Sequence, residues 1–251
     1  MKIIIITILF VYTQLTLDHC GNEDCIRDLI NQSVNSINSS FEDNNLQIKL
    51  ELVYCGLINY RESSSLEDDL DVLRTDSYIY DLRNRYQADL VSIVANSPDY
   101  AEGYAYQLKD SNDDYFDDWA FSIIQVRSLG TLVLHHEIGH NLGAAHDGEG
   151  IGNYSRAYHN SELGINTLMS QCGPRIALYS SPDIEYNGVI IGSDTENNTM
   201  AIRQSAKLVS EFRPLKKKDM GCGILGIEFI LLFLLVRRVK RNEDQKRIRN
   251  S

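Results

Sequence analysis

The sequence predicts an α+β fold: a twisted, mixed but mostly parallel sheet with helices packed on it, followed by a smaller irregular part. Three observations carry that prediction. Ile3 to Tyr12 is an almost unbroken apolar, β-branched run, as expected of a central strand buried on both faces. Segments with strand and helix periodicity then alternate as far as Gly143, an order that builds a largely parallel sheet. Beyond Gly143, to about residue 193, no period persists and Gly and Asn are frequent, so this stretch is irregular.

The first run also has the form of a short secretory leader. No small-residue cleavage site follows it, and the strand is the favoured reading. Ile26, Ile30, Val34, Ile37 and Phe41 keep helical spacing. They predict an amphipathic helix over 23–41, capped by Asn22. Leu46, Ile48, Leu50 and Leu52 alternate with polar residues and predict a half-buried strand. Leu66, Leu70, Leu73, Tyr78 and Leu82 predict one or two helices over 66–87. Leu90–Ala95, Gly103–Leu108 and Ala120–Val126 read as further strands, and 130–143 as a helix. Ser193-Asp194-Thr195-Glu196 has the pattern of a capping box. The helix it predicts carries Ile202, Ala206, Val209 and Phe212 and ends at Pro214.

The helix at 130–143 carries the chemistry. It enters the run His136-Glu137-Ile138-Gly139-His140-Asn141-Leu142-Gly143-Ala144-Ala145-His146-Asp147. His136 and His140 lie four apart and stack on one helical face, with Leu134, Ile138 and Leu142 opposite. Gly143 can take positive φ, end the helix and turn the chain, bringing His146 back to the same point. Three neutral imidazoles leave a fourth tetrahedral position open, as a catalytic zinc ion requires. Glu137, beside a ligand but not itself one, is placed to act as general base and then general acid. Surface histidines on an ordinary helix would not explain why four of the six histidines fall between His135 and His146.

The pattern His136-Glu137-x-x-His140-x-x-Gly143-x-x-His146-Asp147 resembles the metzincin zinc metallopeptidases, in the adamalysin/reprolysin-like branch. Asn166-Thr167-Leu168-Met169-Ser170 resembles that family's methionine turn, with Met169 beneath the zinc. Closer still is the bacterial reprolysin-like group that includes peptidyl-Asp metalloendopeptidases. Arg175-Ile176-Ala177-Leu178-Tyr179-Ser180-Ser181-Pro182, Val11-Tyr12-Thr13 and Ala88-Asp89-Leu90-Val91-Ser92 are similar to segments of that group. The resemblance spans roughly residues 3–213. It implies a zincin fold over 1–215, with an upper part to about 143 and a lower part from 144. It implies one Zn2+ held by His136, His140 and His146, with Asp147 supporting the site beside the turn. It also implies a peptide or protein substrate laid along Gly103, Tyr104 and Ala105 as an added strand. Arg175 is a candidate lining the substrate cleft; a plain surface arginine is the simpler reading. The alternative function is a catalytically silent member of the fold that binds a peptide or protein. The usual sign of one, loss of the glutamate or of a histidine, is absent here.

The 251 residues carry a net charge of −11, distributed unevenly. Residues 1–215 hold 14 Lys and Arg against 31 Asp and Glu; residues 216–251 hold 10 against 4. The acidic body argues against a nucleic-acid partner. Asp110 to Asp118 is an acidic stretch that lacks the sixth-position glycine and twelfth-position glutamate of an EF-hand. It reads as a solvated loop rather than a Ca2+ site. No feature specifies an oligomeric state. The apolar run Gly221–Val236 lies between Lys216-Lys217-Lys218 and a cluster ending Lys240-Arg241. It is somewhat short of the ~20 residues of a membrane span, and Glu228 in its middle would cost about 2.5–3.5 kcal/mol. Residues 216–251 read either as a transmembrane anchor with the catalytic body outside the cell or as a cleaved sorting tail. Among Cys20, Cys25, Cys55 and Cys172, one or two disulfides are expected in an exported protein, with Cys222 left over.

Overall fold

The computed structural model describes residues 2–109, 115–148 and 154–213. Its order is β1 (Ile4–Tyr12), α1 (Gln14–Cys20), α2 (Glu23–Asp43), β2 (Ile48–Leu57), α3 (Leu66–Arg74), α4 (Ser77–Tyr86), β3 (Leu90–Ala95), β4 (Gly103–Ala105), β5 (Phe121–Gln125), α5 (Val133–Asn141) and α6 (Asn198–Val209). Two very short hairpins, His159–Asn166 and Glu185–Ile190, lie between α5 and α6. The sheet runs β2-β1-β3-β5-β4; all neighbours are parallel except β4, which closes one edge antiparallel to β5. This is the mixed, mostly parallel sheet expected from the sequence.

The apolar first run is the strand second from one edge, with a partner on each side. Alternation explains why it is apolar throughout. Ile6, Ile8, Phe10 and Tyr12 face a core shared with α2, α5 and α6. Leu9 and Val11 face a second core shared with α3 and α4. A polar residue on either face would be stranded between sheet and helices. Thr7 is the exception, and its N–H and hydroxyl both donate to the Asp89 carboxylate, each at 2.8 Å. β2 runs on past its alternating core to Leu57, and an extra residue, Val53, bulges it between Leu52 and Tyr54 and shifts the register.

Several expectations are corrected. α1 was not visible as a periodic segment; Thr13 caps it and Gly21, at φ +85°, ends it. The segment 66–87, expected as one or two helices, is two, separated by the Asp76 cap. β4 stops at Ala105 rather than Leu108, because the chain is drawn toward α5: Leu108 N–H donates to His140 O at 3.0 Å. Ser193 and Glu196 do bond each other as a capping box would, but in a turn before the helix. The cap of α6 is Asn197, which accepts from Met200 N–H at 3.0 Å. α6 ends at Val209, before Pro214. Cys20, Cys25, Cys55 and Cys172 are free thiols. Cys20 and Cys25 face each other across the Gly21 turn, and burial pushes the thiols of Cys20 and Cys55 up to about 11. Asp110–Asp114 of the acidic stretch and the whole 216–251 tail, with Cys222, lie outside the described residues. Among the described residues no helix is long and apolar enough to cross a membrane.

Candidate active site

α5 is short, nine residues, and buried along its whole length. The expected helix of 130–143 is trimmed at its start by a turn in which Thr131 N–H and hydroxyl both bond Ser128 O. Its apolar face meets the first core through Leu134, Ile138 and Leu142. The opposite face, with His136 and His140, is covered by the irregular segment that follows. A helix so enclosed shows no solvent-facing polar stripe, and His136 and Glu137 instead line a cleft.

Gly143 turns the chain at φ +85°, and Gly143 N–H and Ala144 N–H close on His140 O and Gly139 O. The turn delivers His146. The Nε2 atoms of His136, His140 and His146 then stand 2.9, 3.0 and 3.2 Å apart. A zinc ion with Zn–N bonds of about 2.0–2.1 Å in a tetrahedral set spans N···N edges of about 3.3 Å, so the three donors fit one ion. Their other ring nitrogens fix which atom faces inward. His136 Nδ1 donates to Leu168 O at 3.0 Å, and His140 Nδ1 to Ala144 O at 3.1 Å. Each therefore turns an unprotonated Nε2 to the common point. Three lone pairs so close repel one another unless a cation lies between them. His146 Nδ1 is 3.1 Å from the Gln171 amide nitrogen. Reversing that amide would present its oxygen to Nδ1–H and give the third ring the same tautomer. Burial and the neighbouring imidazoles hold the pKa of His136 well below its usual value and that of His140 at about 3. Both rings are therefore neutral, as metal ligands must be. His135, immediately before His136, bonds Ser36 Oγ at 3.0 Å instead.

Met169 is fully buried and packs against α5 at Gly139. Its turn is closed by Ser170 N–H on Thr167 O, and Leu168, adjacent to it, orients His136. Gly139 makes the contact possible: a Cβ there would lie 2.6 Å from Met169 Sδ and 3.1 Å from Tyr179 Cε1. Asp147 accepts from Gln171 N–H at 2.8 Å and from Ser170 Oγ at 3.3 Å. It thereby ties the third histidine to the methionine turn. Burial pushes its carboxyl up, but these donors outweigh that and hold it below the usual carboxylate range.

A cavity of about 330 Å3 opens over the triad, lined by Gly103, Tyr104, His136, Glu137, His146 and Arg175 among others. Ala105 lines an adjoining hollow with Tyr106 and Trp119 instead. A larger cavity of about 560 Å3, between Leu57–Tyr60 and Tyr78, contains none of these groups; size alone does not locate the chemistry. Glu137 is almost fully buried. Burial pushes its carboxyl up to about 8, while the Arg175 guanidinium pulls it down. Arg175 Nε donates to Ser170 O at 2.8 Å, and among the described residues the guanidinium has no carboxylate partner.

Asn141 and Tyr179 support the site without a role expected from the sequence, and Gly103, expected along the substrate, also packs against it. Asn141 Nδ2 donates to Tyr106 O and Phe121 O, tying α5 to β4 and β5. Tyr179 OH donates to His135 O at 2.9 Å, and its N–H to Asn44 Oδ1. Gly103 brings β4 against the site, where a Cβ would lie 3.0 Å from Glu137 Oε1. Only Asn141, a polar residue inside a buried helix, carried a signal that could have been read.

Residues 28–147 match the family described as metallo-peptidase family M12B, reprolysin-like. A peptidyl-Asp metalloendopeptidase of Xanthomonas campestris pv. campestris is 28% identical over 223 residues, which are 83% of this chain and 52% of that protein. A protein of the same name from Stenotrophomonas maltophilia is 25% identical over 226 residues, again 83% and 52%. One from Pseudomonas aeruginosa is 27% identical over 155 residues, 57% of this chain and 26% of that protein. The chain thus spans about half the length of the first two curated relatives. In fold it is similar to a chain in the solved "Structure of a chaperone-substrate complex", at a TM-score of 0.73 and 22% identity, over 85% of this chain and 36% of that one. The mixed sheet and histidine triad fit the zincin fold.

Proposed function

We propose that this chain, similar to the reprolysin-like metallopeptidases, is a metzincin-type zinc-dependent metalloendopeptidase. The observation that carries the reading is the convergence of three Nε2 lone pairs beside a buried, non-ligating Glu137 at the floor of an open cleft. His136, His140 and His146 would hold the ion. When bound there, zinc supplies Lewis-acid activation of water and of the scissile carbonyl.

The remaining steps fall to the protein. Substrate lies along β4, whose outer edge has no strand partner among the described residues and whose Gly103 lets the peptide backbone approach Glu137. The Glu137 carboxylate takes a proton from the attacking water as its oxygen bonds the carbonyl carbon. The C–N bond then breaks, and Glu137 returns that proton to the leaving amine nitrogen. A carboxyl whose affinity for a proton is raised by burial suits both roles. Met169 and Asp147 hold the ligands in place rather than react.

Arg175 favours substrates with an acidic side chain. It is anchored by Ser170, faces the same cleft as Glu137, and has no carboxylate partner among the described residues. The name of the relatives, peptidyl-Asp metalloendopeptidase, agrees with that preference. The apolar, basic-flanked tail attaches the catalytic body to the cell surface; loss of membrane association in a chain ending at residue 215 is the check.

The test of the activity pairs zinc stoichiometry with cleavage of a casein-type substrate, for the full chain and for Glu137→Ala. One catalytic-site zinc in both, with chelator-sensitive cleavage by the parent alone, is the expected result. Cleavage by neither would support the binding-module reading, and retained cleavage by Glu137→Ala would remove that residue from its role. Arg175→Ala should lower kcat/KM for acidic peptides about tenfold or more while leaving neutral ones unchanged, in keeping with the value of a charge-assisted contact.

A further inference from the structure

A second cluster of metal-ligating side chains stands beside the first. One ligand atom each from Asp147, His159 and Cys172 lie within 4.8 Å of one another. We propose that these three residues form a separate site for a thiophilic divalent cation of the zinc class, distinct from the three-histidine centre.

One edge of the cluster already has the spacing of a bound state. Cys172 Sγ and Asp147 Oδ2 are 3.6 Å apart. A tetrahedral ion with Zn–S of about 2.3 Å and Zn–O of about 2.0–2.2 Å spans an S···O edge of about 3.5 Å. The imidazole is preset. Asn166 Nδ2 donates to Pro174 O, so its Oδ1 faces the ring and accepts from His159 Nδ1 at 2.5 Å. The proton on Nδ1 leaves Nε2 as the lone pair, the arrangement that orients metal-ligating histidines generally. Gly173 leaves room for Asn166 in that position, since a Cβ there would lie 2.7 Å from Asn166 Nδ2.

The charges leave room for a cation. Among the described residues no Lys or Arg pairs with Asp147. Its donors are the neutral Gln171 N–H, Ser170 hydroxyl and Cys172 thiol, the last a weak one, so no positive charge offsets the carboxylate there. On binding, the Cys172 S–H bond breaks, its proton leaves to solvent, and the thiolate takes up the cation. With three protein donors, one position remains for water. The donor sets differ in kind. The first centre is all nitrogen, whereas this one contains sulfur, which favours zinc, cobalt or cadmium over magnesium or calcium.

That difference makes the site testable independently of catalysis. Full-length protein, stripped of metal and kept reduced, is titrated with Co2+ and followed by its thiolate-to-cobalt charge-transfer absorption. The parent should bind two equivalents, one of which brings the charge-transfer band. Cys172→Ser should bind one and lose the band, and His159→Asn should weaken the band-forming equivalent tenfold or more. A parent that binds only one equivalent with no band, or a band that survives Cys172→Ser, would overturn the proposal. His140→Ala separates the two centres: it should lose the bandless equivalent and keep the band, so failure of the three-histidine reading is seen apart from failure of this one.

Discussion

Gly139→Ala sets two physical effects against each other at one atom. In a helix interior alanine is favoured over glycine by about 0.8–1.0 kcal/mol, and Gly139 lies within α5. The new methyl group would lie 2.6 Å from Met169 Sδ and 3.1 Å from Tyr179 Cε1, well inside the ~3.5–4.0 Å of a favourable contact. Met169 and Tyr179 are both fully buried, so neither can swing aside without disturbing the core. Overpacking of this kind costs about 1–3 kcal/mol. The steric effect therefore wins, with a net loss near 1 kcal/mol and a melting temperature lower by about 2–4 °C. Met169 cannot yield without moving its neighbour Leu168, whose carbonyl orients His136. Zinc affinity should consequently fall by roughly tenfold, the low end for loss of a partner that orients a ligand. The assay is thermal and denaturant unfolding of both proteins, with a zinc competition titration and the cycle through Met169→Ala. Truncating Met169 should be less costly in the Gly139→Ala background than in the parent, by about 1 kcal/mol or more. A variant more stable than the parent, or strictly additive effects, would show that the helix and the methionine turn are not in the contact argued here.

Gly103→Ala presses a methyl group against the Glu137 carboxylate; kcat should fall about tenfold or more with zinc stoichiometry unchanged, since small displacements of catalytic groups are costly. Tyr179→Phe leaves His135 O without its hydroxyl donor and should lower stability by about 0.5–1.5 kcal/mol, read from denaturant unfolding. Asn197→Ala removes the true cap of α6 and should cost about 1 kcal/mol, whereas Ser193→Ala, in the preceding turn, should stay within about 0.5 kcal/mol; the opposite ranking would restore Ser193 as the cap.

How much of this was legible in the chain depended on how local the chemistry is. The buried strand Ile4–Tyr12, the Asn22 cap and the strand at Leu90–Ala95 follow from composition and period over a few residues, and all stand in the structure. Ahead of α6 the capping-box pattern and the cap are different residues, and the cap is Asn197. Ser193–Glu196 satisfies its own donors in a turn, so its pattern says nothing about where the next helix begins. α1 went unnoticed because seven residues are too few to show a period, although Thr13 and Gly21 bracket it.

The sequence by itself determined the donor set. Two histidines four apart on a helix, a glycine able to turn the chain and a third histidine three residues later allow little other than convergence, because helix geometry and positive φ are properties of the local backbone. Only the tertiary structure decided what faces that centre and holds it in place. Leu168 O, Met169, Tyr179 and Arg175 reach it from more than thirty residues after the helix begins, and Gly103 from about thirty before it; for Met169, Arg175 and Gly103 the chain offered a family resemblance but no contact. Their roles arise from packing and hydrogen bonds across the fold. Such contacts have no period or spacing in the chain, because burial selects them only after the sheet has brought distant segments together.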